Sequence, residues 1–189
     1  MRIITGSARG LKLKSPQNFL TRPTSDRVKE SLFSILSGMK TFSEVEKVLD
    51  IFSGTGALGL ESLSRGAKSA IFIDNATSAI ISENIRRAKF EKVCRVFKGD
   101  FLKVLKKISQ ENLKFDLIFC DPPYKKGFSQ SAANFIAEVE LLKSAGIFVI
   151  EHGFDEKIIP PENLELLRKI DYGKTTSIEI FELSKGESK

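Results

Sequence analysis

From residue 47 onward, five short and almost uninterrupted apolar runs alternate with longer segments of helical period. The runs read KVLDIF, SAIFID, VCRVFKGD, FDLIFCD and GIFVIEH. Between them lie ALGLESLSRG (closed by Gly66), ATSAIISENIRRAKF, FLKVLKKIS and SAANFIAEVELLKSA, with apolar positions such as Ile81, Ile85 and Ala88 on one helical face. A strand that is apolar at every position must be covered on both faces. Only a mostly parallel sheet between two helix layers offers that cover. The end of the chain, NLELLRKIDYGKTTSIEIFEL, predicts two strands about a D-Y-G-K turn, so the last pair is expected to be antiparallel.

The first 40 residues follow another pattern. RIITG and LKLKS flank a glycine-containing turn and predict a short hairpin. Val28, Leu32, Ile35, Leu36 and Met39 then fall at helical spacing, with Thr24, Ser25 and Asp26 available as caps. The chain therefore divides into a hairpin-helix extension, residues 1–40, and an α/β domain, residues 41–189.

Charge separates the same two parts. Residues 1–30 hold seven basic side chains (Arg2, Arg9, Lys12, Lys14, Arg22, Arg27 and Lys29) against Asp26 and Glu30, so they carry five of the six net positive charges. A basic segment on a nearly neutral body suits a polyanion, and Arg9, Lys12, Lys14 and Arg22 are candidate phosphate contacts. With one histidine and no C-x-x-C, a protein-bound metal is not expected. Cys94 and Cys120 sit in apolar runs and read as reduced core thiols. No apolar run approaches the roughly 20 residues of a membrane span, and the N-terminus lacks a signal-peptide core. A cytoplasmic, membrane-free, monomeric protein is expected.

In doubly wound sheets, ligands bind beyond the carboxyl ends of the strands. Gly54, Asp74, Asp100 and Asp121 all lie at or just past strand ends in this sequence. DIFSGTGALGLE contains Gly54-x-Gly56-x-x-Gly59, with Asp74 20 residues beyond Gly54. That pattern fits either a dinucleotide or S-adenosylmethionine. A pyrophosphate wants bare backbone amides, whereas Asp50, four residues before Gly54, would repel it and suit the donor's ammonium. Asp74 would accept the ribose hydroxyls, and Asp100 an adenine amino hydrogen. Thr55 within the turn, Asn75 beside Asp74 and Phe101 beside Asp100 complete the expected donor site.

The remaining motif is Asp121-Pro122-Pro123-Tyr124, followed by Lys125 and Lys126. The exocyclic amine of a nucleobase is a poor nucleophile, because its lone pair is delocalised into the ring. Two acceptors on its N–H bonds, the Asp121 carboxylate and a main-chain carbonyl, would localise that pair. Pro122 and Pro123 stiffen the turn and hold no N–H that could consume its acceptors. Tyr124 can stack on an extruded base, and the two lysines can meet the backbone.

These residues resemble a known family. Asp-Pro-Pro-Tyr after the fourth strand is similar to the motif of class I amino-methyltransferases. MRIITGSARGLKLKSP, TRPTSDRVKESLFSIL, VLDIFSGTGALGLESLSRGA, FDLIFCDPPY and the closing IEH and YGKTTSIEIFEL resemble, in order and spacing, the bacterial 16S rRNA guanine-N2 methyltransferases, the RsmD family. The resemblance spans almost the whole chain. It implies a Rossmann-like class I methyltransferase fold of seven strands, mostly parallel with an antiparallel last strand. It implies S-adenosylmethionine as donor and one guanine of 16S rRNA in an assembling small subunit as target. Two departures stand out: the loop reads Ser53-Gly54-Thr55-Gly56 where the family has Ala-Gly-Ser-Gly, and strand two ends in Asp74 where the family has Glu. Rival readings are an N6-adenine methyltransferase acting on DNA or RNA, of which the DNA enzymes usually carry a recognition insert that 189 residues cannot hold, a non-catalytic RNA-binding assembly factor, which would not need Asp121, and an NAD oxidoreductase, which Asp50 disfavours.

Overall fold

The computed structural model describes residues 1–16 and 26–184. Seven strands form one sheet: β1 (Lys47–Ile51), β2 (Ser69–Asp74), β3 (Cys94–Lys98), β4 (Phe115–Cys120), β5 (Leu142–Gly153), β6 (Leu164–Tyr172) and β7 (Thr176–Leu183). Their order is β3-β2-β1-β4-β5-β7-β6. β7 runs antiparallel to both of its neighbours, and the other pairings are parallel. The order reverses between β1 and β4, which makes their carboxyl ends the switch point.

Among the described residues five α-helices cover the sheet: α1 (Asp26–Met39), α2 (Ala57–Ser64), α3 (Ser78–Ala88), α4 (Phe101–Ser109) and α5 (Phe128–Glu138). Leu32, Phe33 and Leu36 of α1, the apolar residues of α2, and Ile81 and Ile85 of α3 pack with Val48, Leu117, Phe119 and Val149 on one face. Phe101, Val104, Leu105 and Ile108 of α4 and Ala132, Ala133 and Ile136 of α5 pack with Leu49, Ile51, Ile118 and Phe148 on the other. Cys120 is buried and Cys94 half-buried; burial pushes both thiols up, Cys94 to about 12, so neither is a ready nucleophile. Among the described residues no helix is long and apolar enough to cross a membrane.

The N-terminal extension does not stand apart from this core. The expected hairpin is reduced to one antiparallel bridge, Arg2 to Lys12, yet Ile3 and Leu13 are buried in the α1–α3 layer. The anchor is Glu61 of α2, which is fully buried. Its carboxylate accepts the amides of Ile4 (2.7 Å) and Thr5 (3.1 Å), Nε of Arg65 (2.9 Å) and Nζ of the fully buried Lys29 (3.1 Å). Lys29 also donates to the Arg2 carbonyl at 2.5 Å. A buried carboxylate needs such a set of donors to stay ionised.

One boundary differs from the sequence reading. The helical pattern through Ala145 stops at Glu138, and Leu142 already begins β5. Glu140 takes a left-handed conformation (φ 48), and Leu141 and Leu142 turn into the core. Lys143 then pairs with Asp116 at 2.9 Å. Tertiary burial of two leucines overrides a helical period that local spacing alone would continue.

Candidate active site

The parallel register sets the rim of the sheet. Ile51 pairs with Ile73 and with Cys120, and Asp74 with Lys98. The residues that follow β1, β2, β3 and β4 therefore emerge side by side. The Asp121 amide points back to the Ile51 carbonyl at 3.4 Å, so the amine-clamp motif starts next to the glycine turn.

That turn is built on positive backbone angles: Phe52 (φ 59), Gly54 (φ 56) and Gly56 (φ 78). Ser53 staples it to β2, accepting the Ile73 amide at 3.0 Å and donating to the Asp50 carbonyl at 2.5 Å. Behind it, Gly59 lies so close to Phe72 that a Cβ would fall 2.4 Å from the ring, which explains why this helix position tolerates no side chain.

Asp50 lies at the end of β1, where the sequence places it, but its carboxyl turns inward. It is 2% exposed, and its Oδ2 accepts the Gly59 amide at 2.9 Å. Burial pushes its carboxyl up to about 8. A direct contact with the donor's ammonium is not what this geometry provides, and a mostly neutral acid repels no pyrophosphate. Gly59 is the third residue of α2, and its amide is one of those a pyrophosphate would need at a helix N-terminus. Asp50 already occupies it.

Asp74 is half-buried and crowded. Oδ2 accepts the Gly54 amide (3.0 Å), and Oδ1 accepts those of Ala76 and Thr77 (both 2.8 Å). A carboxylate offers about four acceptor positions, so one remains for a ribose hydroxyl, and accepting both hydroxyls requires the Gly54 amide to yield. Asn75 is exposed beside it. Asp100 is exposed and caps α4 by accepting the Lys103 amide at 3.1 Å. Phe101 is buried, its ring 4.6 Å from Phe52 and 5.6 Å from Phe128. Phe52 and Phe128, absent from the sequence reading, give this side of the rim an apolar aromatic wall.

In the clamp motif Asp121 is half-buried, Pro122 is buried and Pro123 is exposed. The Tyr124 hydroxyl donates to Oε1 of Glu151 at 2.9 Å and lies 3.0 Å from Oγ1 of Thr176. Burial, reinforced by the Glu151 carboxylate, pushes that hydroxyl well above its ordinary value, so it stays protonated. Gly153 lies against the ring, where a Cβ would sit 3.5 Å from Cδ2. The ring is thus held at its tip and along one side. Glu151 and Thr176 share the sheet face of Val149 and Ile178 by strand alternation, which is the face that carries α1 and the basic extension. His152 faces the other way, fully buried, with Nδ1 2.9 Å from the Gly153 carbonyl and Nε2 3.5 Å from Glu179; it has a structural position.

Of the candidate RNA contacts, Arg9, Lys12, Lys125 and Lys126 are exposed. Lys14 is exposed too but pairs with Glu83. Arg22 lies outside the described residues, as do the expected caps Thr24 and Ser25. Asn84 is the functional candidate that pattern reading missed. The available signal was a polar residue on the apolar face of α3, one position before Ile85.

The strand order, with Asp-Pro-Pro-Tyr beside the glycine turn, is that of the class I methyltransferase fold. A family model described as Conserved hypothetical protein 95 matches residues 1–181, and the chain belongs to that family, the RsmD family. It is 36% identical over 180 residues to Bacillus subtilis YlbH, covering 93% of this chain and 95% of that one. It is 34% identical over 186 residues to the Haemophilus influenzae protein named Ribosomal RNA small subunit methyltransferase D, covering 97% and 92%. The solved structure of Escherichia coli yhhF superposes with a TM-score of 0.83 at 30% identity, over 97% of each chain.

Proposed function

We propose that the chain transfers a methyl group from S-adenosylmethionine to the exocyclic N2 amine of one guanine in 16S rRNA, met in an assembling small subunit. The observation that carries the reading is the pairing of Ile51 with Cys120, which sets Asp121 directly beside the glycine turn. The names of the relatives support ribosomal RNA as the substrate class.

The site residues fit a donor with two ribose hydroxyls and an adenine better than a dinucleotide. The Gly59 amide in the first turn of α2 is already held by Asp50, Asp74 keeps an acceptor position at the rim, and Phe52, Phe101 and Phe128 form an apolar wall. When bound, S-adenosylmethionine supplies an electrophilic methyl group on a sulfonium. Gly54, Thr55 and Gly56 let its backbone-sized parts approach the turn. Asp121 accepts one N–H of the amine and a proline carbonyl the other, turning the nitrogen lone pair toward the methyl carbon. Once the methyl group has passed from sulfur to nitrogen, Asp121 would take the surplus amine proton and hand it to solvent. Tyr124, neutral and held by Glu151 and Thr176, offers its ring for stacking on the extruded base.

The test is nucleoside mass spectrometry of 16S rRNA before and after treatment with the purified protein and donor. The rRNA is taken from a strain lacking the gene. Appearance of N2-methylguanosine at one position supports the assignment. N6-methyladenine, in RNA or DNA, would replace it with the adenine reading.

A further inference from the structure

Asn84 is completely buried in α3, yet it makes three hydrogen bonds, and none of them is within its own helix. Its Oδ1 accepts the Lys14 amide at 2.8 Å. Its Nδ2 donates to the Lys14 carbonyl at 3.0 Å and to the Thr55 carbonyl at 2.9 Å. The orientation of the amide follows from chemistry: flipped, it would set a donor against an N–H and an acceptor against two carbonyls.

The two groups it joins belong to different parts of the molecule. Lys14 belongs to the basic segment that carries Arg9 and Lys12, two residues past the bridge of Lys12 to Arg2. Thr55 is the centre of the glycine turn, between Gly54 and Gly56. A second contact repeats the connection, since Oγ1 of Thr55 lies 3.7 Å from Sδ of Met1. The segment from Met1 to Lys14 is therefore linked to the donor turn twice, directly through Met1 and by way of Asn84 through Lys14. Glu61 holds its middle.

We propose that Asn84 is a positioning residue that couples the basic N-terminal segment to the donor turn, so that occupying the turn orders the segment and docking the segment onto RNA tightens the turn. The inference rests on the proposed function for what each side binds. The physical basis is shared occupancy of one amide. The Thr55 carbonyl and the Lys14 backbone are held by the same nitrogen, so shifting one changes the geometry available to the other. Coupling of this kind is reciprocal by linkage, with typical factors of about 5–150 in affinity.

The nearest substitutes lose part of this arrangement. An aspartate would match the shape and keep an acceptor for the Lys14 amide, but would set lone pairs against two carbonyls. Alanine would free all three backbone groups. Glutamine adds a methylene where the packing leaves no room. The variant Asn84→Asp is therefore the sharpest perturbation.

The experiment is amide hydrogen exchange on the full chain, with S-adenosylhomocysteine as the probe. In the wild type, saturating probe is expected to slow exchange both in residues 53–60 and in residues 12–16, the second group by at least about 5-fold. In Asn84→Asp, protection of 53–60 at saturation is retained and the response of 12–16 is lost. Protection of the turn without any response of 12–16 in the wild type would overturn the coupling while leaving the donor assignment intact. Protection nowhere would overturn the donor assignment and the coupling with it. The wild-type measurement tests the coupling even if Asn84→Asp does not fold, and a 12–16 response that persists in the folded variant would overturn the role of Asn84. A second readout is probe affinity with and without 16S rRNA: the ratio is expected to exceed about 5 in the wild type and to approach 1 in the variant. A ratio of about 1 in the wild type would also overturn the coupling.

Discussion

Asp50 Oδ2 accepts the Gly59 amide hydrogen at 2.9 Å, across the glycine turn that separates them by nine residues. The bond ties the end of β1 to the first turn of α2. It does so with a carboxyl group that is buried and, at neutral pH, mostly protonated.

This makes stability fall as pH rises. The unfolded carboxyl ionises near 3.8, whereas the folded one holds its proton up to about 8. Between those values the folded state binds a proton that the unfolded state has lost. The stabilisation is full below the unfolded value and is lost on the way to the folded one, by up to about 1.4 kcal/mol per pH unit. Asp50→Asn keeps an acceptor for Gly59 and removes the titration. Urea denaturation from about pH 5 to 9, bracketing the folded value, is expected to show the variant gaining on the wild type across that range. Parallel curves would mean that Asp50 ionises normally.

The second prediction concerns the buried cluster behind the turn. Glu61→Ala leaves Lys29 buried without its carboxylate and orphans the amides of Ile4 and Thr5. Loss of one partner of a buried ion pair costs about 3–5 kcal/mol. Guanidinium denaturation is expected to show a loss of that size, with the N-terminal residues exchanging early. A loss below about 1 kcal/mol, the range of a surface pair, would contradict the burial of the cluster.

Asp121→Ala is expected to lower the rate of methyl transfer by about 10²–10³, the usual effect of removing one preorganised electrostatic contact. The affinity for S-adenosylhomocysteine should stay within about 2-fold, well under the roughly 1.4 kcal/mol that a tenfold change represents. Single-turnover kinetics with saturating donor and calorimetry separate the two. Wild-type turnover in the variant would remove Asp121 from the amine.

The basic surface is testable through salt. Replacing Arg9, Lys12, Lys125 and Lys126 by Ala should weaken RNA binding and flatten log affinity against log salt by about 0.7 per lost phosphate contact. Lys14→Ala alone should change the slope less, because its ammonium already pairs with Glu83. An unchanged slope in the quadruple variant, with the fold confirmed by circular dichroism, would place the RNA contacts elsewhere.

The strands, the glycine turn and Asp-Pro-Pro-Tyr were legible because their chemistry is local. An apolar run such as FDLIFC demands cover on both faces whatever surrounds it, and a proline pair stiffens a turn wherever it lies. The approach of four strand ends to one rim followed from topology rules alone. The end of α5 was less legible, because the burial of Leu141 and Leu142 outweighed a helical period that ran on through them.

What only the tertiary structure decided is which partner each polar group found. Asp50 reads as a free anion beside a glycine loop; the packing of α2 against Phe72 buries it and turns it toward Gly59. Tyr124 reads as a bare ring; residues 27 and 52 positions away hold its hydroxyl. Asn84 reads as a blemish on an apolar helix face; two segments, 70 and 29 residues distant, meet it there. Side-chain period and turn chemistry act over a few residues and are written in the sequence. Burial, which sets both the ionisation of an acid and the need of an amide for partners, depends on what the rest of the chain brings alongside.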